Sequence, residues 1–263
     1  MAKGASKISS GGGAKAGGRA NTPSGVDRDG FLQMTDAEKE QFIARVNADP
    51  NIAVPAYVDR SITSKVMYSL GMDKKPDVVD DATFDQMKAN GDFQFNNDMF
   101  RTVYNTGTGI TGLDVAQSNL RGDYTQMSGS GGSAHGRAIY FAGGQSGLAE
   151  SMDYRDSYRG GNVTIRANVK KGAKIVNERD VENSPMYSRY TNAGYNRADA
   201  KALTALSMGA DGWRQNYGNY HYTMVINRGA LAASSSVKNT PRSYTRNTQW
   251  SDIGKSSRTK HIV

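Results

Sequence analysis

The apolar residues of this chain fall into short runs of four to eight, and this pattern limits the folds open to it. From residue 99 onward the runs are rich in Val, Ile, Tyr and Phe and are separated by polar and Gly-rich stretches, which is typical of strands. Such runs lie at 99–104, 138–142, 162–169, 173–176 and 222–226, with helical patterns between them at 113–119, 146–154 and 197–208. The sequence therefore predicts an α+β domain over residues 96–232.

The segment in front of this domain, residues 27–95, carries helical signals instead. Thr35 followed by Glu38 forms a capping-box pattern, in which each residue satisfies a free N–H of the other. A further helix is predicted at 61–70, where Ile62, Val66 and Leu70 lie on one helical face, and a shorter one at 81–89, which ends before Asn90 and Gly91. We therefore expect a small helical region before the α+β domain.

The net charge of +8 is concentrated at the two ends of the chain. Residues 1–26 contain four basic and no acidic residues, and residues 233–263 contain six basic residues and one acidic residue. Residues 27–232 therefore have a net charge of −1. A nucleic-acid-binding domain would instead carry Lys and Arg on a folded face. We therefore expect residues 1–26 to be a disordered Gly/Ser-rich tail and residues 233–263 to be loose, with Trp250 and Ile253 as candidate anchors. Either tail could touch nucleic acid or an acidic partner.

The complete absence of cysteine excludes several functional classes. Without Cys the chain has no disulfide framework, thiol nucleophile or iron–sulfur cluster. Its three His, at 135, 221 and 261, lack the spacing of a zinc site, so no metal is expected. No apolar run approaches the roughly 20 residues of a membrane-spanning helix, and the N-terminus lacks a secretory signal. A cytoplasmic protein without membrane contact is expected.

Residues 107–112 spell GTGITG, which matches the dinucleotide-binding pattern GxGxxG between a predicted strand and a predicted helix. On that interpretation the protein would be an oxidoreductase. A Rossmann unit also needs an acidic residue about 20 positions further on to bind the ribose hydroxyls, and residues 126–142 contain none. In a chain with 30 glycines, a chance match is the favoured interpretation.

Residues 136–142, GRAIYFA, resemble a phrase of the ADP-ribosyltransferase superfamily, GkGIYFA in its poly(ADP-ribose) polymerase branch. The likeness continues in order over about residues 97–232, through KKGAKIV at 170–176 to HYTMVINRGAL at 221–231, which is similar to the closing strand of phage-encoded members. The resemblance implies split, twisted β-sheets around an NAD cleft. It also implies transfer of one ADP-ribose from NAD, the substrate, to a macromolecular acceptor, with protein favoured over nucleic acid. By analogy, the protein would be a phage or mobile-element effector in the host cytoplasm or the virion.

The resemblance assigns roles to individual residues. Arg101, with Thr102 beside it, would hold the ribose and phosphate of NAD. Tyr140 and Phe141 would line the nicotinamide pocket, and Tyr154 would be its second wall. An aromatic face packs well against a pyridinium ring and attracts its positive charge.

One feature of the family is missing from this sequence. Catalysis in the family relies on a glutamate at the start of the late strand, which stabilises positive charge as nicotinamide leaves. Here His221 or Tyr222 stands at that place. The candidates for a replacement carboxylate are Asp211, to which we assign the catalytic role, Glu150 and Glu178. The alternative is a catalytically silent fold that serves as a virion or interaction component, so the sequence leaves enzyme activity open.

Overall fold

Eight strands form one mixed sheet in the computed structural model, which describes residues 35–49, 75–122, 138–154 and 158–254. In chain order the strands are β1 (Asp77–Val79), β2 (Met99–Val103), β3 (Ile139–Gly144), β4 (Val163–Val169), β5 (Ile175–Asn177), β6 (Gly212–Asn216), β7 (Tyr220–Val225) and β8 (Leu231–Asn239). Their order across the sheet is β1-β8-β4-β2-β3-β7-β6-β5. The two outermost pairs, β1 with β8 and β5 with β6, are parallel, and the five inner pairs are antiparallel. The mixture of helices and strands is compatible with the expected α+β class, and its strands form one sheet where the resemblance implied split sheets.

Seven α-helices flank the sheet in the described ranges. They are α1 (Asp36–Ala48), α2 (Asp81–Ala89), α3 (Gly112–Arg121), α4 (Gly147–Asp153), α5 (Glu178–Glu182), α6 (Pro185–Asn192) and α7 (Arg197–Ser207). None of them has the length and apolar character that a membrane span requires.

Alternation along the strands gives the sheet two apolar faces. The first face carries Met99 and Val225 and packs against Leu120 of α3. The second face carries Trp213 and Met224 and packs against α6 and α7. The same face extends across β2, where α4 covers it.

Side-chain caps begin several helices. Thr35 Oγ1 accepts a hydrogen bond from the backbone N–H of Glu38, and the Glu38 carboxylate accepts one from the backbone N–H of Thr35, as predicted. Thr111 and Asp114 form the same arrangement at the start of α3. These caps satisfy N–H groups that have no partner within the helix.

The GTGITG turn is a packed helix start rather than a dinucleotide-binding turn. Strand β2 is antiparallel to both of its neighbours, β3 and β4, so no parallel βαβ unit begins here. Gly112 is required by packing, because a Cβ at this position would lie 2.1 Å from the carbonyl oxygen of Gly161. The backbone N–H of Gly112 donates to Asn105 Oδ1 at 2.8 Å.

The segment 27–95 contributes a strand as well as helices. Strand β1 pairs in parallel with β8, with Asp77 opposite Ala232 and Val79 opposite Ser234. A strand of three residues is too short to show a periodic signal in the sequence. The expectations for residues 1–26 and for a helix at 61–70 lie outside the described residues.

The expectation that residues 233–263 form a loose tail is wrong for residues 233–254. Residues 233–239 continue β8, which lies between β1 and β4. Ile253 is 4% exposed and packs in a cluster with Phe100 and Leu148. The Trp250 indole N–H donates to Asp81, and the Lys238 ammonium lies 4.4 Å from the centroid of the Trp250 ring. The sequence signal for this strand was weak because residues 233–239 are small or polar apart from Val237, with no aromatic residue among them.

Candidate functional site

The sheet opens between β2 and β3. These strands pair through two residue pairs, Met99 with Gly143 and Phe100 with Ala142. In contrast, β2 pairs with β4 over all five of its residues, and β3 pairs with β7 over all six. Beyond Phe100 the two central strands therefore separate, and we call this opening the split.

Arg101 lies at the split. Its Nη1 donates to the backbone carbonyl of Tyr140 at 3.2 Å, so a side chain bridges the gap that strand pairing leaves. Its Nε is buried without a hydrogen-bond partner among the described residues. Burial lowers the pKa of Arg101 to about 10, and the phenols of Tyr140 and Tyr104 partly counter this effect. The guanidinium is therefore still cationic at neutral pH, and because the Arg101 side chain is partly exposed it can bind an anionic group.

The Arg101 side chain is joined to the backbone carbonyl of Tyr140, and the neighbours of these two residues lie in the packed interior. Tyr140 is half-buried on the second face, opposite Met224 of β7. Thr102 is buried, and its hydroxyl lies 2.9 Å from that of Thr164. Phe141 is 2% exposed and belongs to the core of the first face. Of the four side chains predicted on β2 and β3, Arg101 and Tyr140 are therefore the ones that a ligand can reach.

Asp211 is not brought to the split. Its Oδ2 accepts from the backbone N–H of Lys174 at 2.8 Å, and its Oδ1 accepts from Asn227 Nδ2 at 2.6 Å. It immediately precedes β6, which is three strand positions from β2 and hence about 14 Å away across the sheet. Its carboxylate joins two loops at the sheet end.

Glu178 is also occupied. Its carboxylate lies 2.5 Å from Lys201 Nζ, and the side chains of both residues are 6% exposed. Glu182 contributes a second carboxylate at 2.7 Å. Burial alone would lower the pKa of Lys201, but the hydrogen bonds and charges of the two glutamates raise it. The pair joins α5 to α7.

Glu150 is the acid that reaches the late strand. It lies on α4, and its Oε1 accepts a hydrogen bond from the hydroxyl of Tyr222. Tyr222 belongs to β7, and the hydroxyl of Tyr154 donates to its oxygen at 3.0 Å. Glu150 of α4 thus places its carboxylate against Tyr222 of β7.

Three further tyrosines meet the ring of Tyr222, the residue that binds this carboxylate, and we call Tyr154, Tyr217, Tyr220 and Tyr222 the tyrosine cluster. The rings of Tyr217 and Tyr220 are stacked with centroids 5.2 Å apart, and both meet the Tyr222 ring edge-on at 5.6 Å. Tyr154 meets Tyr222 edge-on at 5.9 Å. Burial and the hydrogen bond with Glu150 raise the pKa of Tyr222 strongly, so it stays protonated and donates.

Sequence reasoning missed Tyr217 and Tyr220. Both flank the turn of the β6–β7 hairpin, where Gly218 has φ +75° and the backbone N–H of Tyr217 donates to the carbonyl of Tyr220 at 2.8 Å. The available signal was the spelling YGNYHY at 217–222, three aromatic residues around a glycine turn. Predicting the cluster from it would have required the hairpin pairing.

His221, the other residue at the late-strand position, lies on the first face. Its Nδ1 is 2.9 Å from Thr223 Oγ1, and its ring centroid is 5.3 Å from that of Phe95. Burial, together with the charge of Arg214, lowers the pKa of His221 to about 4. It is therefore neutral at pH 7.

Comparison with known proteins returns no relative of this chain: no family model, curated protein or solved structure matches it. Within the described ranges, no group of three or more His, Asp or Glu side chains is arranged to hold a metal ion.

Proposed function

We propose that this chain is a mono-ADP-ribosyltransferase that moves ADP-ribose from NAD to a macromolecular acceptor, with protein favoured over nucleic acid. The observation that carries the proposal is the cationic, partly exposed side chain of Arg101 at the split, where its guanidinium is held by the Tyr140 carbonyl and has no acidic partner among the described residues. A diphosphate supplies a partner of that kind. The resemblance of residues 136–142 supports the same reaction and is the basis for proposing a phage or mobile-element effector in the host cytoplasm.

In this proposal the residues of the split bind the substrate. Arg101 neutralises the diphosphate and orients it through its planar donor set. The half-buried ring of Tyr140 packs against the nicotinamide, whose positive charge its π face attracts. Both residues act by holding NAD in one orientation, which lowers the entropy lost on reaching the transition state.

The proposed catalytic carboxylate is Glu150, which replaces Asp211 in this role. The reaction breaks the bond between ribose C1′ and the nicotinamide nitrogen, and nicotinamide leaves with the bonding electrons. An acceptor nucleophile forms the new bond to C1′ and loses its proton. A carboxylate beside C1′ stabilises the positive charge that develops on the ribose. Glu150 is the candidate whose carboxylate is bound by a tyrosine hydroxyl instead of by a lysine or the main chain.

Incubation with NAD labelled in its adenylate part, with and without lysate, tests the activity. The wild type should yield labelled protein, or free nicotinamide if water is the acceptor. Glu150→Gln should lower turnover by about 100-fold or more while NAD binding persists, because the lost charge acts mainly in the transition state. Glu182→Gln, on an exposed glutamate of α5, is the matched control and should turn over NAD like the wild type.

A second set of variants tests substrate binding at Tyr140. Tyr140→Phe keeps the aromatic face and should retain most of the NAD affinity, whereas Tyr140→Ala should lose about 1 to 2 kcal/mol of it. If the wild type binds NAD and leaves it intact with every lysate, the protein is a silent member of the fold instead. If Glu150→Gln turns over NAD at the wild-type rate, another group supplies the charge and our assignment fails.

A further inference from the structure

We propose that the C-terminal segment, residues 240–254, holds α4 in place and thereby positions the Glu150 carboxylate, with Tyr244 as a positioning residue. The catalytic part of this inference rests on the proposed function, in which Glu150 stabilises the transition state. Helix α4 has seven residues, and its N-cap Ser146 forms no side-chain cap with a described residue. An isolated helix shorter than about 12 residues is marginal in water. The position of α4 is therefore decided by the groups that pack against it.

The C-terminal segment is itself fixed to the rest of the fold. The backbone N–H of Asn239, the last residue of β8, donates to the carbonyl of Gly254 at 2.9 Å, so the segment returns to the strand it leaves. Lys238 Nζ donates to the backbone carbonyl of Trp250 at 2.7 Å, and the Trp250 indole N–H donates to Asp81 of α2. The segment can therefore act as a support for α4.

The first contact between the segment and α4 is apolar. Ile253 packs in one cluster with Leu148 and Met152, which lie one turn apart on the same side of α4. At about 100° per residue, Glu150 lies about 200° from Leu148 around the helix. Its carboxylate is bound there by Tyr222 of β7. The C-terminal segment and β7 therefore contact α4 from opposite sides.

The second contact is a hydrogen bond at the end of α4. The hydroxyl of Tyr244 donates to the carboxylate of Asp153, the last residue of the helix, and the Tyr244 ring packs against the apolar cluster of Ile253. The helix dipole disfavours a negative charge at a helix C-terminus. A hydrogen bond to a charged acceptor is stronger than one between neutral groups. Tyr244 therefore offsets an unfavourable charge and joins the end of α4 to the segment.

The third contact is a chain of hydroxyl groups across the second face of the sheet. Thr240 Oγ1 lies 2.9 Å from Thr164 Oγ1 of β4, which lies 2.9 Å from Thr102 Oγ1 of β2. Thr102 Oγ1 in turn lies 3.1 Å from Ser151 Oγ of α4. A buried hydroxyl that loses its partner costs free energy, so each member of the chain holds its neighbours. The chain ends on the residue that follows Glu150.

NMR of the full chain with labelled tyrosine, without NAD, tests whether the segment positions the carboxylate. The ring signal of Tyr222 depends on its hydrogen bond to Glu150, and Glu150→Gln marks its position without the charged acceptor. Tyr244→Phe and Thr240→Val should each move the signal towards that position. Both variants should also speed exchange of the Glu150 amide, which donates to the Ser146 carbonyl at 2.9 Å, by about fivefold or more. Amides of α7 should exchange as in the wild type.

Two further variants serve as controls for the hydrogen bond at the end of α4. Ser251→Ala removes an exposed hydroxyl that bonds to Asp252 within the segment, and it should change neither the Tyr222 signal nor the exchange. Asp153→Asn should act like Tyr244→Phe. Because the two side chains act as one pair, the double variant should be no more affected than either single variant.

Kinetics with NAD separate positioning from a general loss of structure. Tyr244→Phe should lower kcat by about fivefold or more and leave KM for NAD unchanged, because the displaced carboxylate of Glu150 acts mainly in the transition state. Arg101 and Tyr140, the proposed binding residues, are untouched by this substitution. Ser251→Ala should keep the wild-type kcat.

Three results would overturn the inference. The first is a wild-type Tyr222 signal and wild-type Glu150 exchange in Tyr244→Phe. The second is equally faster exchange in α7, which would show general destabilisation. The third is a wild-type kcat in Tyr244→Phe although the Tyr222 signal has moved. If the wild type itself turns over no NAD, the proposed function fails, and the NMR comparison still decides whether the segment positions Glu150.

Discussion

Replacing Arg101 by methionine should leave the fold as stable as the wild type or make it more stable. A pKa lowered from 12.5 to about 10 means that the folded protein disfavours the charged guanidinium. At about 1.4 kcal/mol per pH unit this corresponds to about 3 kcal/mol, and partial exposure of the side chain reduces it to about 2 kcal/mol. The hydrogen bond to the Tyr140 carbonyl contributes about 1 kcal/mol in the opposite direction. We therefore expect Arg101→Met to raise the unfolding free energy by about 1 kcal/mol at pH 7.

Arg166 provides the matched control on the neighbouring strand. It is 5% exposed, and its guanidinium donates to Asp98 at 2.7 Å and to Asp85 at 2.6 Å. It also lies 4.4 Å from the ring centroid of Phe84. Arg166→Met removes the charge-assisted hydrogen bonds to both aspartates and leaves the buried Asp98 with the partly exposed Lys88, 2.9 Å away, as its cation, which should cost about 2 to 3 kcal/mol. The same substitution on two adjacent strands should thus change stability in opposite directions.

Urea denaturation followed by circular dichroism measures both variants, and calorimetric titration with NAD measures the affinity of Arg101→Met. The expected combination for Arg101→Met is unchanged or higher stability with NAD affinity lower by about 2 to 3 kcal/mol. Such a combination indicates a charge kept for binding at the expense of stability. If Arg101→Met is as destabilised as Arg166→Met, the guanidinium is a structural bridge across the split, and the argument for a ligand there fails.

Three further predictions concern the corrected tail, the buried ion pair and the neutral histidine. Ile253→Ala should lower the unfolding free energy by about 2 to 4 kcal/mol in urea denaturation, because this side chain is buried. Ser251→Ala, at an exposed position of the same segment, should not change it. If the two variants are equally stable, the C-terminal segment is not docked. Lys201→Met should cost about 3 to 5 kcal/mol, because the buried Glu178 carboxylate would lose the ammonium that lies 2.5 Å from it, and a neutral result would mean that water reaches the carboxylate. His221 takes up a proton in the unfolded chain near pH 6.5 but in the folded chain only near pH 4, so its contribution to stability falls by up to about 1.4 kcal/mol per pH unit as pH drops through that window. Denaturation curves at pH 4.5, 5.5 and 7 should therefore show a smaller acid loss for His221→Gln than for the wild type, and identical slopes would contradict the burial argument.

Local sequence signals predicted most of the secondary structure. The capping box at Thr35, the helix at 81–89 and the five predicted strands all appear, the strands within two residues of their expected ends. Caps and periodicity act between residues a few positions apart, so the sequence contains their complete description. The exceptions are short or atypical elements. Strand β1 has three residues, and β8 is largely Ala and Ser. The hydroxyls of Ser234 and Ser236 donate to Asp81.

Local sequence also predicted part of the candidate site, and the tertiary structure decided the rest. The residue types at Arg101 and Tyr140 and the lack of an acid on the late strand can be read from the sequence, because each belongs to one strand or one short phrase. The sequence could not show which carboxylate is available for catalysis among Glu150, Glu178 and Asp211. Glu178 is occupied by a lysine 23 positions away, and Glu150 is bound by Tyr222, 72 positions away on another strand. Such partners are chosen by strand order and helix packing, which depend on burying the whole apolar surface at once rather than on any local pattern.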